Sequence, residues 1–195
     1  LDLPSIKVDA PLVQPILATQ SGSVLTLNLG SRAADRKYLD TSDTAETVIL
    51  SGDTDGEVEV EFRGFFTRYT GVTKVVADLG QGNDVFDASR LINKVTVDVT
   101  GGEGDDIIRT GMAGGRVVDL KGNNQLIALA ASSSAVMFVA GSGDDTLTGG
   151  GGDDQLYGGA GSNLVQGQAG ADALYAIAGT NRLQGGEGKD RYVFV

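Results

Sequence analysis

Residues 140–193 read AGSGDDTLT, GGGGDDQLY, GGAGSNLVQ, GQAGADALY, AIAGTNRLQ and GGEGKDRYV, six consecutive blocks of the form GGxGxDxUx, where U is a large apolar residue. A nine-residue period without an inserted residue means that one short strand and one short turn are used again and again, as in a solenoid. The eighth position is Leu147, Leu156, Val165, Leu174, Leu183 and Tyr192, so each strand aims one large side chain inward. Two blocks make one coil.

The turns carry the chemistry. Glycines at the first, second and fourth positions permit positive φ angles and close backbone approach, which lets several carbonyl oxygens converge. The sixth position adds a carboxylate at Asp145, Asp154, Asp172 and Asp190 and an amide at Asn163 and Asn181. Residues two blocks apart stack in adjacent coils, so Asp154, Asp172 and Asp190 form one column and Asp145, Asn163 and Asn181 another. Like charges one strand spacing apart repel by about 4 kcal/mol per pair at an effective dielectric constant of about 20. A cation between them removes that cost. Carboxylate and carbonyl oxygens in a flexible loop suit Ca²⁺ rather than Zn²⁺ or Cu²⁺, and Mg²⁺ gives up its waters too reluctantly for such a cage.

These blocks resemble the RTX (hemolysin-type) calcium-binding nonapeptides. Two earlier blocks share the formula, LGQGNDVFD at 79–87 and GGEGDDIIR at 101–109, and the resemblance covers about half the chain. A single GxGxD is a weak signal; consecutive in-phase copies are a strong one. The resemblance implies an all-β fold, a right-handed parallel β-helix or β-roll solenoid with several Ca²⁺ ions in its glycine-rich turns. Ligands would be turn carbonyls and the sixth-position side chain. On this chain they map to Gly80, Gly82 and Asp84; Gly102, Gly104 and Asp106; Gly141, Gly143 and Asp145; Gly149, Gly150, Gly152 and Asp154. Further along they map to Gly158, Gly159, Gly161 and Asn163; Gly167, Gly170 and Asp172; Gly185, Gly186, Gly188 and Asp190. It further implies an extracellular, non-catalytic module of a secreted or cell-surface protein, exported by a type I secretion system and joined to a neighbouring domain. Departures matter: Ala140 and Ala176 replace the first glycine, Gln168 and Ile177 the second, and Asn163 and Asn181 lack charge. The column through Asp145 is therefore expected to bind more weakly than that through Asp172.

Composition agrees. The chain has 195 residues, 30 of them glycine, a net charge of -11 and a pI near 4.3, which repels nucleic acid and anionic membranes and attracts divalent cations. With no Cys, His or Trp, disulfides, thiolate or histidine metal sites and His-based triads are excluded. No apolar run reaches the roughly 18 residues of a membrane span. The opening LDLPSIKVDAPLVQP lacks both an initiating Met and the basic flank and apolar core of a signal peptide, so a longer parent is expected. Pro4, Pro11 and Pro15 are its only prolines, and residues 1–20 read as an extended strap, cap or linker.

Between 21 and 139 the period loosens. Apolar segments recur as VLTLNL (24–29), TVIL (47–50), VEVEF (58–62), TKVVADL (73–79), KVTVDV (94–99), RVVDL (116–120) and AVMFV (135–139). The later ones are spaced by about 20 residues, which predicts solenoid coils that tighten into the roll of 140–195. Turns SGDTDG (51–56), GQGND (80–84), GGEGDD (101–106), KGNNQ (121–125) and GSGDD (141–145) are expected on one edge, with Asp84 and Asp106 in neighbouring coils. KGNNQ has no carboxylate and should interrupt the ion column. Segment 31–46 is a short helix or a surface loop.

Two outer features suggest other functions. Tyr157 and Tyr175 fall in the same register and should stack outside the roll, with Thr148, Gln166 and Gln184 as the ladder on the opposite sheet. A tyrosine platform would suit an adhesin or carbohydrate-binding module scaffolded by Ca²⁺; a plain stabilising ladder is the simpler reading. GFFTRYTGVTK (64–74) collects Phe65, Phe66, Arg68, Tyr69 and Lys74, residue types that an accessory segment of a polysaccharide lyase or epimerase would use. An aromatic core or edge contact accounts for it more simply.

Overall fold

Glycine turns and β-branched segments disfavour helix and favour short strands. The computed structural model describes residues 15–37, 39 and 41–195, so the strap, cap or linker expected at 1–20 lies mostly outside the described residues. Among those described, the one helical element is a 3₁₀ turn at Gly30–Asp35, which overlaps the start of the segment 31–46 read as helix or loop. In chain order the strands are β1 (Ala18–Ser21), β2 (Val24–Leu27), β3 (Thr47–Gly52), β4 (Val58–Phe62), β5 (Phe65–Tyr69), β6 (Lys74–Gln81), β7 (Val85–Leu91), β8 (Thr96–Glu103) and β9 (Ile107–Arg109). They continue as β10 (Gly115–Lys121), β11 (Gln125–Ile127), β12 (Val136–Ser142), β13 (Thr146–Thr148), β14 (Gln155–Tyr157), β15 (Leu164–Ala169), β16 (Ala173–Ala176), β17 (Arg182–Glu187) and β18 (Arg191–Phe194).

From β6 onward even-numbered strands stack in parallel in one sheet and odd-numbered strands in the other, giving a parallel β-solenoid of six two-strand coils that run from β6–β7 to β16–β17. Coil length follows from the register. Lys74 pairs with Thr96, Val97 with Gly115, Gly115 with Val136 and Met137 with Gln155, which makes successive coils 22, 18, 21 and 18 residues long. Gln155 pairs with Ala173 and Ala173 with Arg191, 18 residues apart in both cases. The coils therefore do not tighten gradually. On what we call the first edge, the turns after even-numbered strands keep a constant length; every extra residue sits on the second edge, at 88–96 and 128–135. SGDTDG also falls on the second edge, not with GQGND. There Gly52 O accepts from Ile92 N and Lys94 Nζ pairs with Asp55 at 2.7 Å.

The N-terminal strands depart from pure coiling. β2 and β3 lie parallel to β6 and β7, but β1 pairs antiparallel with β2, and β3, β4 and β5 form an antiparallel meander. Arg63 (φ 50) and Gly64 (φ 81) are both left-handed, as a two-residue hairpin turn requires. VEVEF is thus a meander strand, and the aromatic segment after it forms the outermost strand of its sheet, with Phe66 53 % exposed.

The core is a pair of apolar columns. Phe86, Ile108, Leu126, Leu147 and Val165 stack on the odd sheet, and Val117, Phe138, Leu156 and Leu174 on the even one, all fully buried. Each contributes about 1.5–3 kcal/mol by leaving water. Leu183 is half-buried. Tyr192 is 45 % exposed, against the inward place its position implies, because β18 is the last strand of its sheet.

Coils approach through their fourth-position glycines. A Cβ on Gly122 or Gly143 would stand 1.8 or 1.9 Å from the carbonyl oxygen of Gly104 or Gly122, at φ +105 and +134. Gly22, at φ +60 in the β1–β2 turn, has nothing within 4 Å of such a Cβ. Gly143→Ala is accordingly expected to cost well over 2 kcal/mol, because the carbonyl beneath is backbone, and Gly22→Ala only the roughly 1–2 kcal/mol of the left-handed conformation. Denaturant unfolding checks this; equal losses would contradict the stacking.

Candidate metal centre

From Asp84 to Asn163, the sixth-position Oδ1 of each first-edge turn accepts the backbone N–H of the equivalent residue one coil earlier. Glu46 N donates to Asp84 (2.6 Å), Asp84 N to Asp106 (2.7 Å), Asp106 N to Asn124 (2.9 Å), Asn124 N to Asp145 (2.8 Å) and Asp145 N to Asn163 (2.7 Å). Asn163 Nδ2 then donates to Asn181 Oδ1 at 2.7 Å. The two groups expected from sequence, Asp84 with Asp106 and Asp145 with Asn163 and Asn181, are thus one continuous column joined through Asn124. KGNNQ does not break the ladder. On the second edge Val136 N donates to Asp154 (2.8 Å), Asp154 N to Asp172 (2.8 Å) and Asp172 N to Asp190 (3.1 Å). Earlier coils have Val97, Gly115 and Val136 at the register of Asp154, so this column holds three acids.

Each carboxylate has a second oxygen. Oδ2 of Asp84, Asp106, Asp145 and Asp172 is buried with no hydrogen-bond partner, while Asp154 Oδ2 accepts from Gly150 N at 2.8 Å. Buried polar atoms are almost always paired, and a bare carboxylate oxygen costs several kcal/mol. Burial first, and neighbouring carboxylates after it, push Asp84 up to about 7 and Asp154 up to about 6, and raise Asp106, Asp145 and Asp172 as well.

The glycines make room for these groups. A Cβ on Gly149, Gly167 or Gly185 would lie 2.3, 2.1 or 2.1 Å from Oδ2 of Asp154, Asp172 or Asp190, so the first position of these three blocks has no room for a side chain. Fourth-position carbonyls of Gly82, Gly104, Gly143, Gly152 and Gly170 lie against the next coil's glycine at Gly104, Gly122, Gly161, Gly170 and Gly188. At the second position the carbonyls of Gly80 and Gly141 do the same beneath Gly102 and Gly159, and Gln168 adopts φ +79 without being glycine, beneath Gly186. A Cβ on Gly158 would lie 3.0 Å from Asn181 Oδ1 and 3.5 Å from Asn163 Cβ. Among the described residues no three Asp, Glu, His or Cys side chains converge as a conventional cluster. A metal here would draw on carbonyls and one or two carboxylates, all hard oxygen donors, and the orphaned Oδ2 atoms fit such a cation.

One member of the first-edge column escaped sequence reasoning. Thr47 pairs with Val85, so Glu46 occupies the register of Asp84, and ETV repeats the acid–x–apolar order of DVF. Its partner is internal: the Arg36 guanidinium, 2 % exposed, ion-pairs with Glu46, donates to the carbonyl of Ser42 at 2.9 Å and lies 4.9 Å from the Phe62 ring centroid. Burial raises the Glu46 pKa and Arg36 opposes it. At this coil a fixed guanidinium neutralises the column.

Outside the turns, Tyr157 and Tyr175 stack with centroids 4.1 Å apart and planes 9° from parallel, and Gln166 donates to Gln184 at 2.9 Å, as the period predicts. Arg191 lies 5.6 Å from the Tyr175 ring centroid and bonds its hydroxyl. On the meander, Arg68 pairs with Glu57 (3.1 Å) and Glu59 (3.2 Å), and on the other sheet Lys74 of β6 pairs with Asp98 of β8 (2.7 Å).

A family model of the RTX calcium-binding nonapeptide repeat matches the chain in four copies, over residues 98–112, 137–165 and 157–192. The block at 79–87 lies outside those ranges. No curated protein and no solved structure matches the chain.

The raised carboxyl pKa values fix the pH dependence of the metal-free protein. Folded-state values above the unfolded value of about 3.9 mean that the protonated, buried acids stabilise the fold fully below about pH 4. For Asp84, which lies outside 140–195, that stability is lost as pH rises through about 7. The thermal midpoint in chelator is expected to fall from about pH 5 to about pH 8, and millimolar Ca²⁺ to remove most of the fall. A midpoint that rises with pH in chelator would contradict the burial of these groups.

Proposed function

We propose, on the premise that the chain carries RTX calcium-binding nonapeptide repeats, that it is a calcium-binding module of a secreted or cell-surface protein which folds when Ca²⁺ binds outside the cell. The observation that carries this reading is the set of buried Oδ2 atoms, of Asp84, Asp106 and Asp145 on the first edge and of Asp172 on the second, that find no protein donor.

Binding and folding are one event. Asp154, Asp172 and Asp190 come from three separate coils and meet only in the native state, as do Asp84, Asp106 and Asp145. Bound Ca²⁺ supplies the positive charge these oxygens lack. A ligand that binds only the folded state stabilises it by RT ln(1 + [L]/Kd), about 2.7 kcal/mol per site at a hundredfold excess over Kd. Extracellular calcium modules work at Kd values of about 10⁻⁴–10⁻³ M, so cytosolic Ca²⁺ leaves such sites empty. A chain that stays unfolded inside and folds outside suits export through a type I secretion channel, and the folded roll then holds a neighbouring domain. No helix among the described residues is long and apolar enough to cross a membrane.

The other readings find less support. Arg191 covers Tyr175 and fixes its hydroxyl, so the stacked tyrosines act as a ladder rather than an open sugar platform. Arg68 and Lys74 are each neutralised by carboxylates, which removes the free cationic face a lyase or epimerase would need.

Dependence on the ion should differ along the chain. From 140 onward the first four blocks each bury one large apolar side chain and the last two leave theirs half-buried or exposed, whereas β4, β6 and β8 bury two or three each. That small core does not offset a chain entropy of about 1–2 kcal/mol per ordered residue without metal. In chelator, limited proteolysis is expected to cut first within 140–195 and leave a resistant fragment of 21–139, with millimolar Ca²⁺ protecting the C-terminal part. Identical digestion with and without chelator would defeat the calcium-dependent reading.

A further inference from the structure

Asp119 stands where the nonapeptide formula has glycine. In the block DLKGNNQLI (119–127) it is the first residue, it pairs in register with Ala140, and the sixth position of its block is the neutral Asn124. Its side chain is 0 % exposed, neither carboxylate oxygen makes a hydrogen bond of full geometry, and its nearest polar neighbours are the Lys121 N–H and the Asp106 carboxyl. No protein cation reaches it. Lys121, two residues on, points outward and pairs with Glu103, and the charged neighbours of Asp119 are the carboxyls of Asp106 and Asp145.

The position of this carboxylate has a parallel. A Cβ on Gly101 would lie 2.2 Å from Asp119 Oδ2, just as one on Gly149, Gly167 or Gly185 would lie 2.3, 2.1 or 2.1 Å from Oδ2 of the sixth-position acids of those blocks. Asp119 therefore brings an oxygen to the space over a first-position glycine by a different route, from the following coil. It does so in the one coil between Asp106 and Asp145, both of which keep an unpartnered buried Oδ2. The other amide coils are built otherwise: their first positions are Gly158 and Ala176, and Asn163 donates to Asn181.

We propose that Asp119 is a cation ligand that, with Asp106, holds a Ca²⁺ ion on the first edge between the β8–β9 and β10–β11 coils and so carries the ion column past Asn124. This rests on the calcium reading above. The ion would take its remaining ligands from the glycine turns, and a repeat that fails the formula at its sixth position would regain a carboxylate at its first.

The test is calcium equilibrium dialysis of the full chain beside two variants, Asp119→Asn, which keeps the shape, and Asp119→Ala, which places at 119 the residue found in register at Ala140. Each variant is expected to bind one ion fewer and to lose calcium-dependent amide protection over 101–125, with protection over 150–192 retained. Equal ion counts and affinities in the unaltered chain and both variants would overturn the assignment and leave Asp119 a buried protonated acid. Should neither variant fold, the unaltered chain decides: calcium must raise amide protection over 101–125, and no change there overturns the assignment. A chain that binds no Ca²⁺ anywhere defeats the calcium reading itself, a result distinct from the loss of this one site.

Discussion

Everything in this molecule follows from carboxylates buried at the spacing of β-strands. Each sixth-position Asp spends one oxygen on a backbone N–H of the neighbouring coil and has a second that the protein rarely satisfies. Coils about 4.8 Å apart bring these groups into columns, where like charge and lost hydration both oppose folding. The glycines are the other half of the same constraint. They clear the space the carboxylates occupy and bring turn carbonyls to the edge, and their conformational freedom is a cost to folding.

The two edges meet this constraint differently. The first keeps turns of constant length through all six coils and carries an unbroken ladder from Glu46 to Asn181, whereas the second admits insertions at 88–96 and 128–135 and becomes acidic only from Asp154. Constant length keeps side chains in register; insertion does not. Charge on the first edge is managed by three devices: the Arg36 guanidinium at Glu46, orphaned oxygens open to a metal in the middle, and an amide pair between Asn163 and Asn181 at the C-terminal end. Hydrophobic burial shifts in parallel, from the longer strands and meander near the N-terminus to the single-residue columns of the last coils.

Much of this is legible in the sequence because a nine-residue period is a covalent property. The columns through Asp154, Asp172 and Asp190 and through Asp145, Asn163 and Asn181, the stacked tyrosines and the glutamine ladder all lie where counting by nines puts them. What counting misses depends on which strand becomes a neighbour. SGDTDG resembles the first-edge turns yet follows an odd-numbered strand, VEVEF looks like a coil strand yet folds back at Arg63–Gly64, and Tyr192 occupies an inward position on a strand that nothing covers. Glu46 and Arg36 were invisible because a 38-residue step separates Thr47 from Val85 in place of an 18-residue one. Asp119 lies outside the reach of the formula because its block has neither the first-position glycine nor the sixth-position acid.

The central claim is that the orphaned oxygens are cation ligands, and anomalous diffraction from crystals grown in Ca²⁺ tests it most directly. The account requires calcium peaks along both edges, within coordination distance of about 2.3–2.6 Å of Oδ2 of Asp172 and Asp145 and of turn carbonyl oxygens. Edges without such peaks at saturating Ca²⁺, with the same carboxyl groups buried and protonated, would contradict it.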